Sequence, residues 1–168
     1  MTVPIPVITV IGRSGSGKTT FLEKLIAELC SRGVRLATVK HHSHSGFDID
    51  IPGKDSWRHA RAGSRHVIIA APEKIASYRL LERELSLHEI VQEVREVDLV
   101  LAEGYKRAGM PSIEVLRAEV SLELISDPHQ LIAVVTDIPL QVTVPQFGPQ
   151  DVAPVADFRE PSRRIVGV

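Results

Sequence analysis

Apolar residues fall into short runs separated by polar stretches that carry most of the glycines and prolines. Six runs rich in β-branched residues, at 5–11, 34–39, 66–71, 97–102, 113–116 and 131–136, read as strands. Most are continuous rather than alternating, the pattern of strands covered on both faces, as in a parallel sheet. A different period appears between the first two. Over 19–32, Phe21, Leu22, Leu25, Ile26 and Leu29 recur at spacings of one, three and four, and Gly33 follows, which predicts an amphipathic helix with a C-terminal stop. Residues 86–96 predict a second helix, with Ser86 as N-cap, Glu89 three residues on, and Leu87, Ile90, Val91 and Val94 on one stripe. A third, shorter helix is expected from near Lys54 to before Gly63. Strands alternating with helices imply right-handed crossovers and a three-layer α/β domain, a mostly parallel sheet flanked by helices. The tail, 139–168, carries five prolines and little periodicity, so only a short strand near 142–144 is expected there.

Composition narrows the class. A chain of 168 residues, 43% hydrophobic and 24% charged, predicts one domain with a single core. Cys30 is the one cysteine, so no internal disulfide is possible, and no signal-like start precedes the first strand; the expected compartment is the cytoplasm. No apolar run approaches the roughly 20 residues that span a bilayer, which argues against a membrane role. Twenty Lys+Arg against 21 Asp+Glu leave a formal charge of −1, so no bulk field draws in nucleic acid.

The chemistry concentrates in Gly12-Arg13-Ser14-Gly15-Ser16-Gly17-Lys18-Thr19, which fits the phosphate-loop pattern G-x-x-x-x-G-K-[ST] at every required position. The loop follows an expected buried strand and runs into the strongest helix, so the unpaired amides of the first turn and the positive end of the helix dipole converge on one point. An anion suits that point. Glycines let the backbone close on phosphate oxygens, Lys18 neutralises the β and γ phosphates, and the Thr19 hydroxyl suits Mg²⁺.

A phosphate loop needs a further acidic residue for the metal, at the C-terminal end of a neighbouring buried strand. Asp98 and Glu103 bracket 99–102, and five steps of about 3.3 Å set them roughly 16 Å apart, so one of them reaches the site. Glu103 lies at the edge where the phosphate loop sits; Asp98 falls at the far edge, in a structural role. Gly104 relieves crowding beside Glu103.

The stretch Lys40-His41-His42-Ser43-His44-Ser45-Gly46-Phe47-Asp48-Ile49-Asp50 starts at the same edge. Its H-H-x-H spacing lacks a recognised zinc pattern, so a switch loop is the expected reading. In it Asp50 touches Mg²⁺, directly or through water, or is simply a surface aspartate. Base recognition is less explicit. No N-K-x-D or T-K-x-D pattern occurs, but Thr136-Asp137 follows an apolar strand and precedes Pro139, so Asp137 is either a base-reading carboxylate or the end of a strand turn.

Beyond the phosphate loop, Val39-Lys40-His41-His42, Phe47-Asp48-Ile49-Asp50, Pro52-Gly53-Lys54-Asp55-Ser56, Arg58 and Ala62-Gly63 resemble the signature of the molybdopterin-guanine dinucleotide biosynthesis protein B (MobB) adapters. So do Glu103-Gly104-Tyr105-Lys106, Pro111, Ile113-Glu114-Val115 and Ala133-Val134-Val135-Thr136-Asp137. The likeness covers 7–116, about two thirds of the chain, and extends weakly beyond. Ser64 is a mild departure, standing where the family commonly has alanine. The resemblance implies a P-loop NTPase fold and a GTP-binding homodimer with weak hydrolysis, working beside the guanylyltransferase that attaches GMP to molybdopterin. It implies that Gly12, Arg13, Ser14, Gly15, Ser16, Gly17, Lys18, Thr19 and Thr20 hold the phosphates. Thr19, Asp50 and Glu103 then surround Mg²⁺, and Thr136 and Asp137 lie near the guanine. A phosphate-bearing pterin is a further candidate ligand, for clustered His41, His42 and Lys106.

Two other readings share the loop. A small-molecule P-loop kinase needs a lid arginine, for which Arg79 and Arg83 are the candidates, yet 78–85 reads as an exposed connection. A partitioning-type ATPase carries lysine where Arg13 stands, and arginine is not its equivalent. No water-activating glutamine or arginine finger in cis is identifiable, so an adapter is expected ahead of a dedicated GTPase.

Overall fold

A computed structural model describes residues 5–42, 46–160 and 163–164, with 159–160 and 163–164 described by their backbone alone. The chain divides into two compact units, one built from the stretches up to His41 and from Ser86 onward, the other from His42–Leu85.

The first unit follows the expected alternation. Strand β1 (Val7–Ile11) leads through the phosphate loop into helix α1 (Lys18–Ser31) and then β2 (Leu36–Lys40). Gly33, at φ +80°, ends α1, its amide bonded to the Cys30 carbonyl at 3.0 Å. Helix α2 (Asp55–Arg61) and strands β3 (His66–Ala71) and β4 (Lys74–Arg79) belong to the second unit; α3 (Leu87–Val91), β5 (Leu99–Glu103), β6 (Ser112–Leu116), β7 (Leu131–Thr136), β8 (Gln146–Phe147), α4 (Val152–Asp157), β9 (Arg159–Glu160) and β10 (Arg163–Arg164) complete the first. Six strands form one sheet in the order β2-β5-β1-β6-β7-β8, every pairing parallel.

This sheet explains the continuous apolar runs. Ile8, Val10, Leu99, Leu101, Ile113, Val115, Ala133 and Val135 share a core with Phe21, Leu22, Leu25 and Leu29 of α1 and Val155 of α4. The alternate residues Thr9, Val100, Ala102, Glu114 and Val134 are just as buried, so both faces are covered, as a parallel sheet requires. Each fully buried Leu or Ile contributes about 1.5–3 kcal/mol of transfer free energy. Because the strands run parallel, β1, β2, β5, β6 and β7 all end at one edge, where the phosphate loop begins. No helix among the described residues is long and apolar enough to cross a membrane.

Three expectations need correction. The run 66–71 is not a buried parallel strand: β3 pairs antiparallel with β4 across Pro72-Glu73, with Ile68 59%, Ile69 49% and Ile75 72% exposed. A continuous apolar run reports that a strand seeks cover, not what covers it, and the short alternation of β4 falls partly in the stretch read as a connection. The helix expected over 86–96 stops at Val91. The Ser86–Glu89 capping box forms, but the Glu93 and Val94 amides turn back only three residues, to Ile90 and Val91, and Glu96 has φ +59°. In the tail, the strand lies at Gln146–Phe147 rather than 142–144, and α4 was missed. Pro154 reads as a breaker but sits in the first turn, where its lacking N–H has no intrahelical partner to lose.

Asp98 takes the structural role expected of it. It precedes β5 at the far edge and accepts from the Arg35 amide at 2.9 Å, Nε at 3.0 Å and Nη2 at 2.6 Å. The side-chain and backbone bonds of Arg35 hold its carboxyl down to about 2. A depressed carboxyl stabilises the fold above its ordinary pKa and loses that contribution as pH falls through the folded one. Thermal melts of Asp98→Asn against the parent should therefore show a lower Tm at neutral pH, with the difference closing between the ordinary carboxylate range of about 4 and about 2.

Candidate functional site

The loop leaving β1 passes over the backbone of β6. A Cβ on Gly12, at φ +149°, would lie 2.3 Å from the Val115 carbonyl oxygen and 2.8 Å from Ser16 Oγ, so no other residue fits. Ser16 is 1% exposed and its amide donates to the Arg13 carbonyl at 3.2 Å, while Gly17 starts α1 from a left-handed conformation. Lys18 Nζ folds back onto the same Arg13 carbonyl at 2.6 Å. Ser14, Gly15 and Thr20 face solvent, and Arg13 makes a 3.4 Å pair with exposed Glu123, worth little by itself.

Beside the loop, parallel pairing of β5 between β1 and β2 brings Glu103 level with Val10 and Lys40. Glu103 Oε1 accepts from Thr19 Oγ1 at 3.2 Å and from Lys40 Nζ at 2.6 Å. A hydroxyl and a carboxylate this close form the hard-oxygen pair that a divalent cation takes. The Lys18 ammonium is held below its ordinary range, first by desolvation, with Glu103 pulling it up and Lys40 pushing it down. Gly104, at φ +89°, leaves 3.1 Å between its missing Cβ and the His41 Cβ, so the crowding it relieves comes from His41. Tyr105 follows at φ +54°, its ring 4.8 Å from that of His41.

Asp137 follows β7 at the same edge, and its Oδ1 accepts from the Ala118 amide at 3.0 Å; the Thr136 hydroxyl closes a local turn on Ile138. Asp50 belongs to the second unit. There it accepts from Tyr78 Oη at 2.8 Å, Ser56 Oγ at 3.0 Å and the Ile51 amide at 2.8 Å, and the Tyr78 bond above all holds its carboxyl below the usual range. His41 lies in the first unit with exposed Lys106, while His42 packs against Phe47 in the second; His44, with Ser43 and Ser45, lies outside the described residues. Among the described residues no three His, Cys, Asp or Glu side chains gather as a metal site. Arg79 ends β4 and Arg83 donates to the Glu84 carbonyl.

Sequence reasoning missed two groups: the buried Glu114 carboxylate and Arg117, which packs against the loop at Gly17. The available signal was position, since Arg117 directly follows a strand expected to end at the phosphate-loop edge.

The sequence pattern of a family described as Molybdopterin guanine dinucleotide synthesis protein B, MobB, matches residues 7–137. The chain is 39% identical over 158 residues to the molybdopterin-guanine dinucleotide biosynthesis adapter protein of Haemophilus influenzae, covering 93% of this chain and 88% of that one. It is 37% identical over 161 residues to the protein of the same name in Escherichia coli, covering 92% and 91%. Its fold is similar to the crystal structure of Bacillus subtilis MobB, with a TM-score of 0.73 and 28% identity over 89% of this chain and 93% of the other.

The Gly12 contact makes a direct prediction. Gly33 shares a positive φ but has nothing within 4 Å of its missing Cβ. Gly33→Ala should cost about 1–2 kcal/mol, the strain of a left-handed alanine. Gly12→Ala adds a clash with a backbone oxygen that no side chain can relieve, and chemical denaturation should show a further loss of at least about 1–3 kcal/mol.

Proposed function

The chain belongs to the MobB family, and from that membership we propose that it is an adapter in molybdopterin-guanine dinucleotide biosynthesis that binds GTP with Mg²⁺ and acts beside the guanylyltransferase of that route. The observation that carries the nucleotide reading is the phosphate loop, held in one shape by the Gly12 approach to Val115 with Thr19 and Glu103 meeting at its rim. In this reading the loop amides and Lys18 take the phosphates, and the desolvation that depresses Lys18 is relieved by their charge. Thr19 and Glu103 hold Mg²⁺, which supplies charge neutralisation when bound, and Lys40 leaves Glu103 to make room. Asp137 reads the guanine edge with the oxygen that Ala118 does not use. Asp50 ties Tyr78 to the start of α2 within its own unit, and its role toward Mg²⁺ stays part of the proposal. Slow hydrolysis accords with Lys18, Thr19, Lys40 and Glu103 acting as charge-binding groups.

A homodimer fits the second unit. A two-stranded hairpin is marginal in water, and β3–β4 exposes Ile68, Ile69 and Ile75. A second copy of the same hairpin covers those residues symmetrically.

Equilibrium titration with GTP, GDP and ATP, with and without Mg²⁺, tests the nucleotide reading. GTP should bind at least about tenfold tighter than ATP, roughly 1.4 kcal/mol, and Lys18→Ala should abolish binding. Asp137→Asn should erode the preference, and Glu103→Gln should weaken the Mg²⁺ dependence. ATP binding as tight as GTP refutes the guanine assignment. For the assembly, sedimentation equilibrium should find a dimer that Ile75→Asp shifts toward monomer; a monomeric parent protein removes the proposal.

A further inference from the structure

The connection from β6 to β7 is fastened more firmly than an exposed loop requires. Glu114, 1% exposed, turns its carboxyl oxygens to the amides of Ile125 at 2.9 Å and Ser126 at 2.9 Å and to the Ser126 hydroxyl, so a buried side chain anchors the far end of the connection. At the near end the Arg117 carbonyl accepts from the Val120 amide at 2.9 Å and the Ser121 amide at 3.0 Å, and Asp137 holds the adjoining Ala118 amide. The residue fixed by these bonds is Arg117. β6 lies beside β1 in parallel register, Ile11 opposite Glu114, so Arg117 emerges at the edge from which the phosphate loop rises.

Its guanidinium turns toward that loop. Nη2 and Nε lie 3.5 and 3.7 Å from where a Cβ on Gly17 would stand, at the first turn of α1, and the carbon between them lies farther off, at 3.9 Å. The Nε–Nη2 side of the fork is therefore the nearer one. Nε is buried, and among the described residues it has no hydrogen-bond partner. A guanidinium offers N–H donors and no acceptor, and a buried donor left unpaired is costly. A two-pronged donor with an unmet N–H, lying beside a helix start that attracts anions, suits an oxyanion that accepts at two oxygens.

We propose that Arg117 is a phosphate ligand supplied in cis, donating its Nε–Nη2 fork to a phosphate of the nucleotide held in the loop. Gly17 leaves room for the approach, Asp137 and the Glu114 anchor position the arginine, and Arg13, paired with Glu123, is engaged with the same connection. Asp137 thereby acts on the phosphate end of the ligand as well, through Ala118. The inference rests on reading the loop as a nucleotide site and adds the residue that completes its charge.

The test compares binding of GTP, GDP and guanosine to the full chain, Arg117→Ala and Arg117→Lys, with thermal melts of each ligand-free protein. Arg117→Ala should weaken GTP and GDP at least about tenfold and leave guanosine unchanged, while Arg117→Lys recovers part of the loss because an ammonium brings charge without the fork. GTP affinity unchanged in Arg117→Ala, whatever its Tm, makes Arg117 a structural brace and overturns the proposal. An equal loss for guanosine assigns it to the base or ribose and also overturns it. Should Arg117→Ala not fold, a drop in GTP and GDP affinity confined to phosphorylated ligands in Arg117→Lys supports the proposal, and no drop overturns it. If the parent protein binds neither GTP nor ATP, the nucleotide reading itself has failed, and inorganic pyrophosphate becomes the probe. Pyrophosphate binding that is lost in Arg117→Ala supports the arginine as an anion ligand; binding unchanged, or absent from the parent, overturns it.

Discussion

The approach of Gly12 to the Val115 carbonyl is the constraint on which the functional edge depends. The chain leaving β1 must cross the backbone of its neighbour β6 before it can turn into α1, and at 2.3 Å there is no space for a Cβ. Crossing there, rather than rising away from the sheet, brings the first turn of α1 down onto the ends of the strands. The core then locks the crossing in place, since Phe21, Leu22, Leu25 and Leu29 pack into the same cluster as Val10 and Val115. A small shift of loop against strand would have to move the buried core as well.

Charge at the edge follows from this placement. Glu103 arrives between β1 and β2 with Thr19 and Lys40 on one of its oxygens, and Lys18 is close enough to feel both Glu103 and Lys40. Desolvation dominates at Lys18, so the protein carries there an ammonium that is under-solvated without an anion. Arg117 is in a similar condition on the β6 side, with a buried N–H unmet among the described residues. Cationic groups on both flanks of one loop are thus left with unspent interaction capacity, a form of preorganisation for negative charge.

The second unit obeys different rules. Its α2 and hairpin are tied by Asp50, which links Tyr78 of β4 to Ser56 of α2, and apart from buried Val67 its strands present their isoleucines, Ile68, Ile69 and Ile75, to solvent. A residue that reads in sequence as part of a metal site thus also fastens a small substructure. The same aspartate in a polar stretch suits either role, because sequence does not record which hydroxyls are within reach.

The sequence by itself determined what depends on neighbours along the chain: the phosphate loop, α1 with its glycine stop, the capping box at Ser86, and five of the six sheet strands, of which the four central ones, β5, β1, β6 and β7, announced a covered parallel sheet by their continuous apolarity. Backbone conformation and periodicity are local, and local patterns carry them. It also placed Glu103 and Asp98 at opposite ends of β5, because a strand advances by a fixed rise per residue. Only the tertiary structure decided that 66–71 lies in an exposed hairpin, that Pro154 is harmless in a first turn, that Glu114 is buried as an anchor, and that Arg117 reaches the loop 100 residues before it in the chain. Those outcomes are set by which strands become neighbours in the sheet, and strand order is fixed by packing between segments remote in sequence.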